Sequence, residues 1–257
     1  MPTRSAAVVL FASLLSLPCH GKEARVGEAA LSLTTPAGQC ELDPSKPGDA
    51  RMLEVTERAV SGVGNQILGF YADCKQLTDW RTGKRPLLED FAQYQTLASA
   101  ASAPGPAAPE EAIKQLCSQQ RQEGEKLMTG LAPTMKARVE EAVRGVTVNQ
   151  TRFLGVVGEE PGVCYSAMAQ RIKAETGKDV TLIAVFATTY IKGKIVFYYL
   201  YSPYRSAQTV TTLQAKHRIN VAALLEANKK TAQGPAGGQP RNLFSRRLAT
   251  EIKWSQP

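Results

Sequence analysis

Residues 180–204 read VTLIAVFATTYIKGKIVFYYLYSPY and hold the most apolar run of the chain after its N-terminal region. Two runs, 182–189 and 195–201, flank the turn IKGK, in which Gly193 can take the positive φ that a tight hairpin requires. Alternate residues of 195–201 fall on opposite faces, and both faces are apolar. A strand of this kind is typical of the middle of a sheet with helices on both sides.

The segment after the hairpin predicts a helix that covers the sheet. Residues 206–228 carry an apolar stripe at helical spacing, formed by Val210, Leu213, His217, Val221 and Leu224. Asn228 suits the end of this helix, and Lys229 and Lys230 lie where the helix dipole favours cations.

The first half of the chain alternates between strand and helix patterns. Residues 30–38 and 66–74 predict strands, and residues 44–65 predict a helix that Asp49 caps and that Gly62 and Gly64 end. Residues 75–86 read as a polar turn, and residues 87–99 fit either a strand or a helix.

A loop rich in proline and alanine at residues 101–109 leads into a second helical region. It runs from Pro109 to about Arg144, and Pro133 predicts a break into two helices. Residues 150–160 then predict a strand. Residues 163–177 give no clear pattern, although their second half fits a helix.

The N-terminal residues predict export. Arg4 precedes a short apolar run from Ala6 to Leu17, and small residues follow Pro18. This order is typical of a secretory signal peptide, with cleavage expected after Gly21 or, alternatively, after Ala24. A buried N-terminal helix is the structural alternative. Cys19 raises the possibility of a lipoprotein, but Pro18 stands where a lipobox has a small residue. We expect a periplasmic or secreted protein with no transmembrane segment after signal removal.

Four cysteines remain beyond the expected signal peptide: Cys40, Cys74, Cys117 and Cys164. An even number in an exported chain favours disulfides, and three pairings are possible. Cys40 and Cys74 each end a predicted strand, and strands adjacent in sequence are usually adjacent in space. We therefore predict Cys40–Cys74 and, by remainder, Cys117–Cys164. The spacings match no zinc site and contain no C-x-x-C redox motif.

The remaining composition gives no catalytic signature, so we predict no catalytic residues, no metal site and no cofactor. His217 is the only histidine after the expected signal, and its place on an apolar helical stripe indicates packing. The pairs Glu110–Glu111 and Glu140–Glu141 fit solvated helix surface, whereas Glu159–Glu160 precedes a loop and has some potential to bind a cation.

The charge balance allows an anionic partner. The full chain carries 31 basic and 23 acidic residues, and removing Arg4 with the signal leaves 30 − 23, or about +7. Such a charge suits an anionic envelope surface, although a solvated surface is the commoner explanation. Export and the lack of a recognition motif argue against nucleic acid.

The C-terminal part predicts a separate tail. Residues 231–240 have the composition of a flexible linker. The following segment, residues 241–254, interleaves basic residues with Leu243, Phe244, Leu248 and Ile252. Such a segment can lie on an anionic surface, bind a partner, or pack back on its own domain.

The order of these patterns resembles the PsbP-like α/β/α sandwich family. The resemblance covers residues 30–95 and 146–228, and TTPAGQCELDPSKPGDARM with YADCKQLTDWRTGK is similar to uncharacterised secreted proteins of alphaproteobacteria. It implies an α+β fold in which helices cover both faces of an antiparallel sheet. It also implies a non-enzymatic binding or assembly factor. Residues 109–145 and the tail depart from the compact family pattern.

Two functions follow as expectations, for a chain with a signal peptide (1–21), one sandwich domain (22–230) and a basic tail (231–257). The first is a non-catalytic envelope protein that binds an unknown protein or an anionic envelope surface. The second is a ligand carrier or enzyme with a site on the sheet face. The candidate surface residues are Tyr198, Tyr199, Tyr201, Arg246, Arg247 and Trp254.

Overall fold

The computed structural model describes residues 21–142 and 146–229, which form a mixed α+β structure. Its strands are β1 (Lys22–Val26), β2 (Ala29–Leu33), β3 (Gln39–Glu41), β4 (Asn65–Asp73), β5 (Phe91–Leu97), β6 (Val146–Glu160), β7 (Val163–Ala174), β8 (Asp179–Ile191) and β9 (Lys194–Pro203). Its α-helices are α1 (Pro47–Ser61), α2 (Cys74–Arg81), α3 (Pro109–Ala142) and α4 (Gln208–Lys229). A short 3₁₀ turn, Ala98–Ala101, follows β5.

Seven strands form one antiparallel sheet in the order β3-β4-β5-β9-β8-β7-β6. The predicted hairpin is confirmed: β8 and β9 pair from Leu182↔Pro203 to Ile191↔Lys194. The strand β9 is the fourth of the seven, as its two apolar faces predicted. β1 and β2 pair with each other in a separate two-stranded sheet.

The helix α4 packs on β8 and β9, and the predicted stripe faces the sheet. Leu213, Val221 and Leu224 are buried in the largest hydrophobic cluster, which also contains residues of β1, β2, β5 and β7. Asn228, near the end of α4, receives a hydrogen bond from the Ser32 backbone N–H at 2.9 Å. The helix end is therefore fixed to the small β1–β2 sheet.

The long helix α3 packs on β6, β7 and β8. Gln120 accepts a hydrogen bond from the Ser166 hydroxyl in β7. Further along α3, Met128 packs against a cluster formed by Met168, Ala184 and Tyr201. The helix α1 packs against both α3 and β4.

The predicted disulfide pairs are present. Cys40 of β3 is bonded to Cys74 at the start of α2, with their Cα atoms 5.0 Å apart. Cys117 of α3 is bonded to Cys164 of β7, with a Cα separation of 5.5 Å. The first bridge links elements at one end of the sheet. The second ties the long helix to its strand.

Two polar segments have regular structure that their patterns did not predict. Residues 75–86 were expected to be a turn, but Cys74–Arg81 is a helix whose first turn is capped by the Asp73 carboxylate, which accepts from the Gln76 N–H at 2.9 Å. Only Leu77 is buried in this helix, so its eight residues carry no apolar stripe that would have predicted it. The second segment is β1, in which the buried Ala24 and Val26 alternate with exposed residues.

Two predictions in the second half are wrong. Pro133 does not divide the helical region, because Pro109–Ala142 is one helix with Pro133 inside it. Packing against β6 and α1 supports the turns around the missing N–H. The second half of residues 163–177 was expected to fit a helix, but Val163–Ala174 is a strand throughout. Its first six residues are all buried, and a fully buried strand lacks the alternation that identifies a strand in sequence.

Asp49 does not cap α1, because the helix begins at Pro47 after Lys46. The Asp49 side chain is instead completely buried and forms an ion pair with Arg81 of α2. It also accepts a hydrogen bond from the Asp43 N–H at 2.8 Å. Burial is the largest single influence and opposes ionisation, but the hydrogen bonds from Arg81 and the Asp43 N–H, with the nearby positive charges, together outweigh it and lower the pKa of Asp49. This carboxylate joins α1 to α2.

The two edges of the sheet are short or irregular. β3 has three residues. β6 is long, but its pairing with β7 shifts register at three places, between Val148 and Gln150, Phe153 and Gly155, and Val156 and Gly158.

None of the helices within 21–142 and 146–229 is long and apolar enough to cross a membrane. In the same residues, no group of three or more His, Cys, Asp or Glu side chains is arranged to hold a metal ion.

Candidate functional site

The described structure contains an open cleft of about 860 Å³. Its walls come from the first turn of α3, the β6–β7 turn, the end of β8 with the turn after it, and the last turn of α4. A volume of this size lies within the usual range of ligand pockets, about 300–1,000 Å³. We therefore take this hollow, called the end cleft below, as the candidate site.

Two glycine turns set the shape of the end cleft. Lys192 and Gly193 have φ values of 49° and 75°, which is the left-handed pair of a tight hairpin turn. Gly105, in the loop before α3, packs directly on this turn, because an added Cβ would lie 2.5 Å from the Cα of Gly193. In the β6–β7 turn, Gly162 has φ 73° and its carbonyl accepts from the Thr189 hydroxyl at 2.8 Å.

The remaining wall is supplied by α4. Asn228 is only 6% exposed, and its side-chain amide donates to the Ser32 carbonyl at 2.8 Å and the Leu224 carbonyl at 2.9 Å. Leu225, beside it, is half-buried and packs against the main cluster. The end of α4 is thus held in place where the chain continues into residue 230.

The end cleft carries charges of both signs. Glu110 and Glu111 are exposed in the first turn of α3, and Lys192 and Lys229 are exposed on the β8–β9 turn and on α4. The Lys192 ammonium donates to the Ala30 carbonyl, and the Lys229 ammonium lies 3.9 Å from a Glu226 carboxylate oxygen. No salt bridge to Glu110 or Glu111 occurs among the described residues. The two carboxylates are therefore the charges most available to a ligand.

Tyr190 supplies the aromatic surface of the end cleft. It is half-buried and packs against Ile113, Cys117 and Cys164. Burial raises the pKa of the Tyr190 phenol, so the group stays protonated at neutral pH. The ring can therefore contact an apolar side chain while its hydroxyl offers a hydrogen bond.

The three predicted tyrosines of β9 do not lie together. Tyr198 is fully buried towards α4; its ring stacks on Tyr94 at 4.4 Å, and its hydroxyl accepts from the Asn220 amide at 3.0 Å. Tyr199 and Tyr201 lie on the other face, where they neighbour each other with ring centroids 6.1 Å apart. Desolvation raises the pKa of each of these three phenols. None of the three lines the end cleft.

Tyr199 and Tyr201 belong to a row of aromatic rings. Tyr201 stacks on Phe91 at 4.2 Å, and Phe91 stacks on Phe70 at 5.4 Å. Tyr199 stacks on Phe186 at 5.2 Å. This aromatic row crosses four strands of the sheet. Arg246, Arg247 and Trp254, the other predicted surface residues, lie outside the described residues.

Within the described residues, the one histidine is buried and the four cysteines are bridged. His217 is fully buried, with its Nε2 2.8 Å from the Tyr198 carbonyl oxygen, and burial lowers its pKa to about 4. The four cysteines are all in disulfides. Glu159 and Glu160, which had some potential to bind a cation, pair instead with Arg121 and Arg218.

A second, smaller hollow of about 270 Å³ lies between α1 and α3 and is lined by Arg58, Gly62, Arg138 and Glu141 among others. Arg138 is paired with Glu141 at 3.2 Å. This hollow is a gap between exposed charged side chains.

Sequence reasoning missed the end cleft. Its carboxylates were interpreted as complements of the helix dipole, and Lys192 as part of a turn. The segments that meet there are separated by up to about 120 positions, from Ala108 to Lys229, and no local pattern records their meeting. The breaker-rich loop and the IKGK turn were the only sequence signals near it.

Comparison with known proteins adds no relative. No protein-family model matches this sequence, and no curated protein matches it significantly.

Proposed function

We propose that this chain is a non-catalytic, exported binding or assembly protein that holds a peptide segment of a partner in the end cleft. The observation that carries the proposal is the lining: exposed Glu110 and Glu111 with no salt bridge among the described residues, lysines on the facing elements, and the half-buried Tyr190 and Leu225. Carboxylates, ammonium groups and an aromatic ring suit a peptide that carries basic and apolar side chains.

The proposed architecture is an α/β/α sandwich of the PsbP-like kind. Two observations support it. The apolar residues of α4 share a cluster with Val196, Tyr198 and Leu200. Met128 of α3 shares another cluster with Tyr199 and Tyr201, the alternate residues of β9. Because alternate residues point to opposite faces, α3 and α4 would lie on opposite sides of the sheet.

An exported location agrees with the two disulfides. Such bonds persist in oxidising compartments such as the periplasm and are rare in the cytosol. The N-terminal signal pattern is the second support. The proposal therefore places the protein in the periplasm or outside the cell.

The positions of the histidine and the cysteines support a non-catalytic role. A serine or cysteine relay would need an accessible imidazole, but His217 is fully buried against the sheet. A thiol nucleophile would need a free cysteine, and Cys40, Cys74, Cys117 and Cys164 are all bridged. Binding chemistry is what the exposed groups of the end cleft can supply.

A ligand carrier or enzyme is the second candidate, and the aromatic row favours it. Tyr199 is half-buried beside Tyr201, and Met128 packs on the same cluster. Removal of α3 contacts there would expose stacked rings that could bind a flat apolar ligand. This candidate needs the sheet face to open, whereas the end cleft is already open.

The test is capture of a partner from the native envelope by the full-length tagged chain. We expect Glu110→Lys/Glu111→Lys to reduce recovery of the partner, because the reversed charges repel the basic side chains of its peptide. The matched control is Glu123→Lys/Glu125→Lys, which makes the same charge change at exposed positions of α3 that do not line the cleft. Equal recovery by both variants would contradict the proposed function.

A further inference from the structure

We propose that the end cleft of the free protein is occupied by the chain's own C-terminal segment, residues 241–254, which a partner must displace. This inference rests on the proposed function, because it names what regulates access to the same site. Four observations support it: where the chain leaves the cleft, the length of the linker, the charges, and the apolar side chains.

The segment begins close to its proposed site. Lys229, the last described residue, itself lines the end cleft. The ten residues 231–240, TAQGPAGGQP, have linker composition, and a flexible chain of ten residues spans about 17 Å on average. A short linker of this kind gives an effective concentration of roughly millimolar. Even a weak contact between segment and cleft is therefore substantially populated.

The charges of the segment complement the end cleft. Arg241, Arg246, Arg247 and Lys253 against Glu251 give four minus one, or +3. On the described structure, Glu110 and Glu111 have no basic partner, whereas Lys192 and Lys229 already have oxygen partners. Counted with Glu226 beside Lys229, the charged groups at the cleft are three carboxylates and two ammonium groups, or 3 − 2 = 1 net negative charge. The two carboxylates that form no salt bridge are the ones with which a basic segment can pair.

The apolar side chains of the segment match the rest of the lining. Leu243, Phe244, Leu248, Ile252 and Trp254 are interleaved with its basic residues. Tyr190 and Leu225 offer half-buried apolar surface in the cleft. About 860 Å³ has room for a few side chains rather than for the whole segment. One aromatic anchor with flanking arginines is therefore the expected mode of binding.

Zero-length carbodiimide cross-linking of the full-length chain, followed by peptide mass spectrometry, tests the proposal. Lys253 is the only lysine in residues 241–257, so its cross-links report the position of the segment. We expect Lys253 to link mainly to Glu110 or Glu111. Raising the salt from 0.1 to 1 M should reduce the yield, because the Debye length falls from about 10 to about 3 Å.

The decisive variant is Arg246→Glu/Arg247→Glu, which keeps Lys253 and both acceptor carboxylates. We expect it to lower the cross-link yield roughly tenfold, the effect of weakening the contact by about 1.4 kcal/mol. The matched control, Arg51→Glu/Arg58→Glu, makes the same charge change at exposed positions of α1 and should leave the yield unchanged. The same tail variant should increase recovery of the envelope partner, since it frees the cleft.

Three results would overturn the proposal. One is a spread of Lys253 links over many carboxylates, and another is a yield that both charge variants leave unchanged. The third is that Lys253 forms no cross-link while the tail makes the chain sediment with phosphatidylglycerol vesicles. The tail would then bind a membrane surface and not the end cleft.

The two proposals can fail separately. A Lys253 link to Glu110 or Glu111, together with partner recovery that is unchanged in Glu110→Lys/Glu111→Lys, would support tail docking and contradict the proposed function. Recovery that falls in this variant, without any such link in the original chain, would do the reverse.

Discussion

His217 lies where a charged imidazole would be costly. It is fully buried between the rings of Tyr165 and Tyr198, at 5.7 and 4.6 Å. Its Nε2 donates to the Tyr198 carbonyl, which leaves Nδ1 without a hydrogen-bond partner in the described structure. Desolvation therefore keeps this residue neutral and lowers its pKa to about 4.

We expect this histidine to make stability fall with acid. The folded pKa of about 4 lies below the ordinary 6.5, so the unfolded chain takes up a proton first as the pH falls through 6.5. The loss grows until about pH 4, where it reaches roughly 3 kcal/mol. Urea unfolding at pH 7 and pH 4 should show a smaller acid loss in His217→Gln than in the original chain. Equal acid losses would show that His217 is protonated in the fold.

Asp49 and Arg81 form the other buried polar contact with a measurable consequence. Replacing Arg81 by methionine would leave the fully buried Asp49 carboxylate unpaired. We expect a loss of about 3 kcal/mol in the free energy of unfolding. This is the lower end of the usual cost of removing one partner of a buried ion pair, because the Arg81 side chain keeps 26% exposure. The added change Asp49→Asn should recover part of it. Lys75→Met, which breaks the exposed Lys75–Asp79 pair, is the control and should leave the free energy of unfolding nearly unchanged.

Among the elements, β9 is the one on which the sheet depends most. It lies between β5 and β8, and its residue Phe197 is half-buried against the main cluster. We expect Phe197→Asp to unfold the domain or lower its melting temperature sharply, since an unpaired charge near the core costs several kcal/mol. Circular dichroism during heating measures this. Tyr204→Asp, just past the strand and 52% exposed, is the control and should melt normally.

The Cys117–Cys164 bridge joins α3 to β7 and closes a loop of 47 residues. The chain-entropy relation gives about 4 kcal/mol for a loop of this length. We expect Cys117→Ala/Cys164→Ala to lower the free energy of unfolding by that amount and to speed hydrogen exchange at Ile113 in the same helix. Cys40→Ala/Cys74→Ala should leave exchange at Ile113 unchanged. Slow exchange in both variants would show that packing alone holds α3.

Elements could be predicted where a pattern is local and long. The β8–β9 hairpin has two long apolar runs around a clear turn, and α4 has an apolar stripe at helical spacing, so their positions follow from sequence. The helix α2 could not be predicted from eight residues with one buried side chain. The helix break predicted at Pro133 was wrong because tertiary packing along the helix outweighs the local cost of a proline. The cap predicted at Asp49 was wrong because a residue type that caps helices can also accept a buried ion pair.

For the whole molecule, the candidate site was the least predictable part. The end cleft joins a helix start, two turns and a helix end, and only the folded chain brings Glu110, Tyr190 and Lys229 together. Aromatic residues of β9 were the visible candidates, but strand alternation separates Tyr198 from Tyr199 and Tyr201. Their role as a ligand surface stays a prediction.

The position of β1 distinguishes between the two predicted cleavage sites of the signal peptide. β1 begins at Lys22, and Ala24 is buried where it pairs with Leu31. Cleavage after Ala24 would remove three of the five residues of this strand, whereas cleavage after Gly21 keeps all of them. We expect N-terminal sequencing of the protein from its native envelope to begin at Lys22. A start at Arg25 would mean that the β1–β2 pair is incomplete in the mature protein.

The edges of the sheet also bear on how the protein behaves when it is concentrated. An unpaired strand edge is a template on which another copy can add, and such additions start fibrils. Here one edge is only three residues long, and the other is bent by three register shifts. Neither offers a straight run of free N–H and C=O groups to a neighbour. A chain whose sheet edges have this form is protected from self-templated aggregation when it is concentrated.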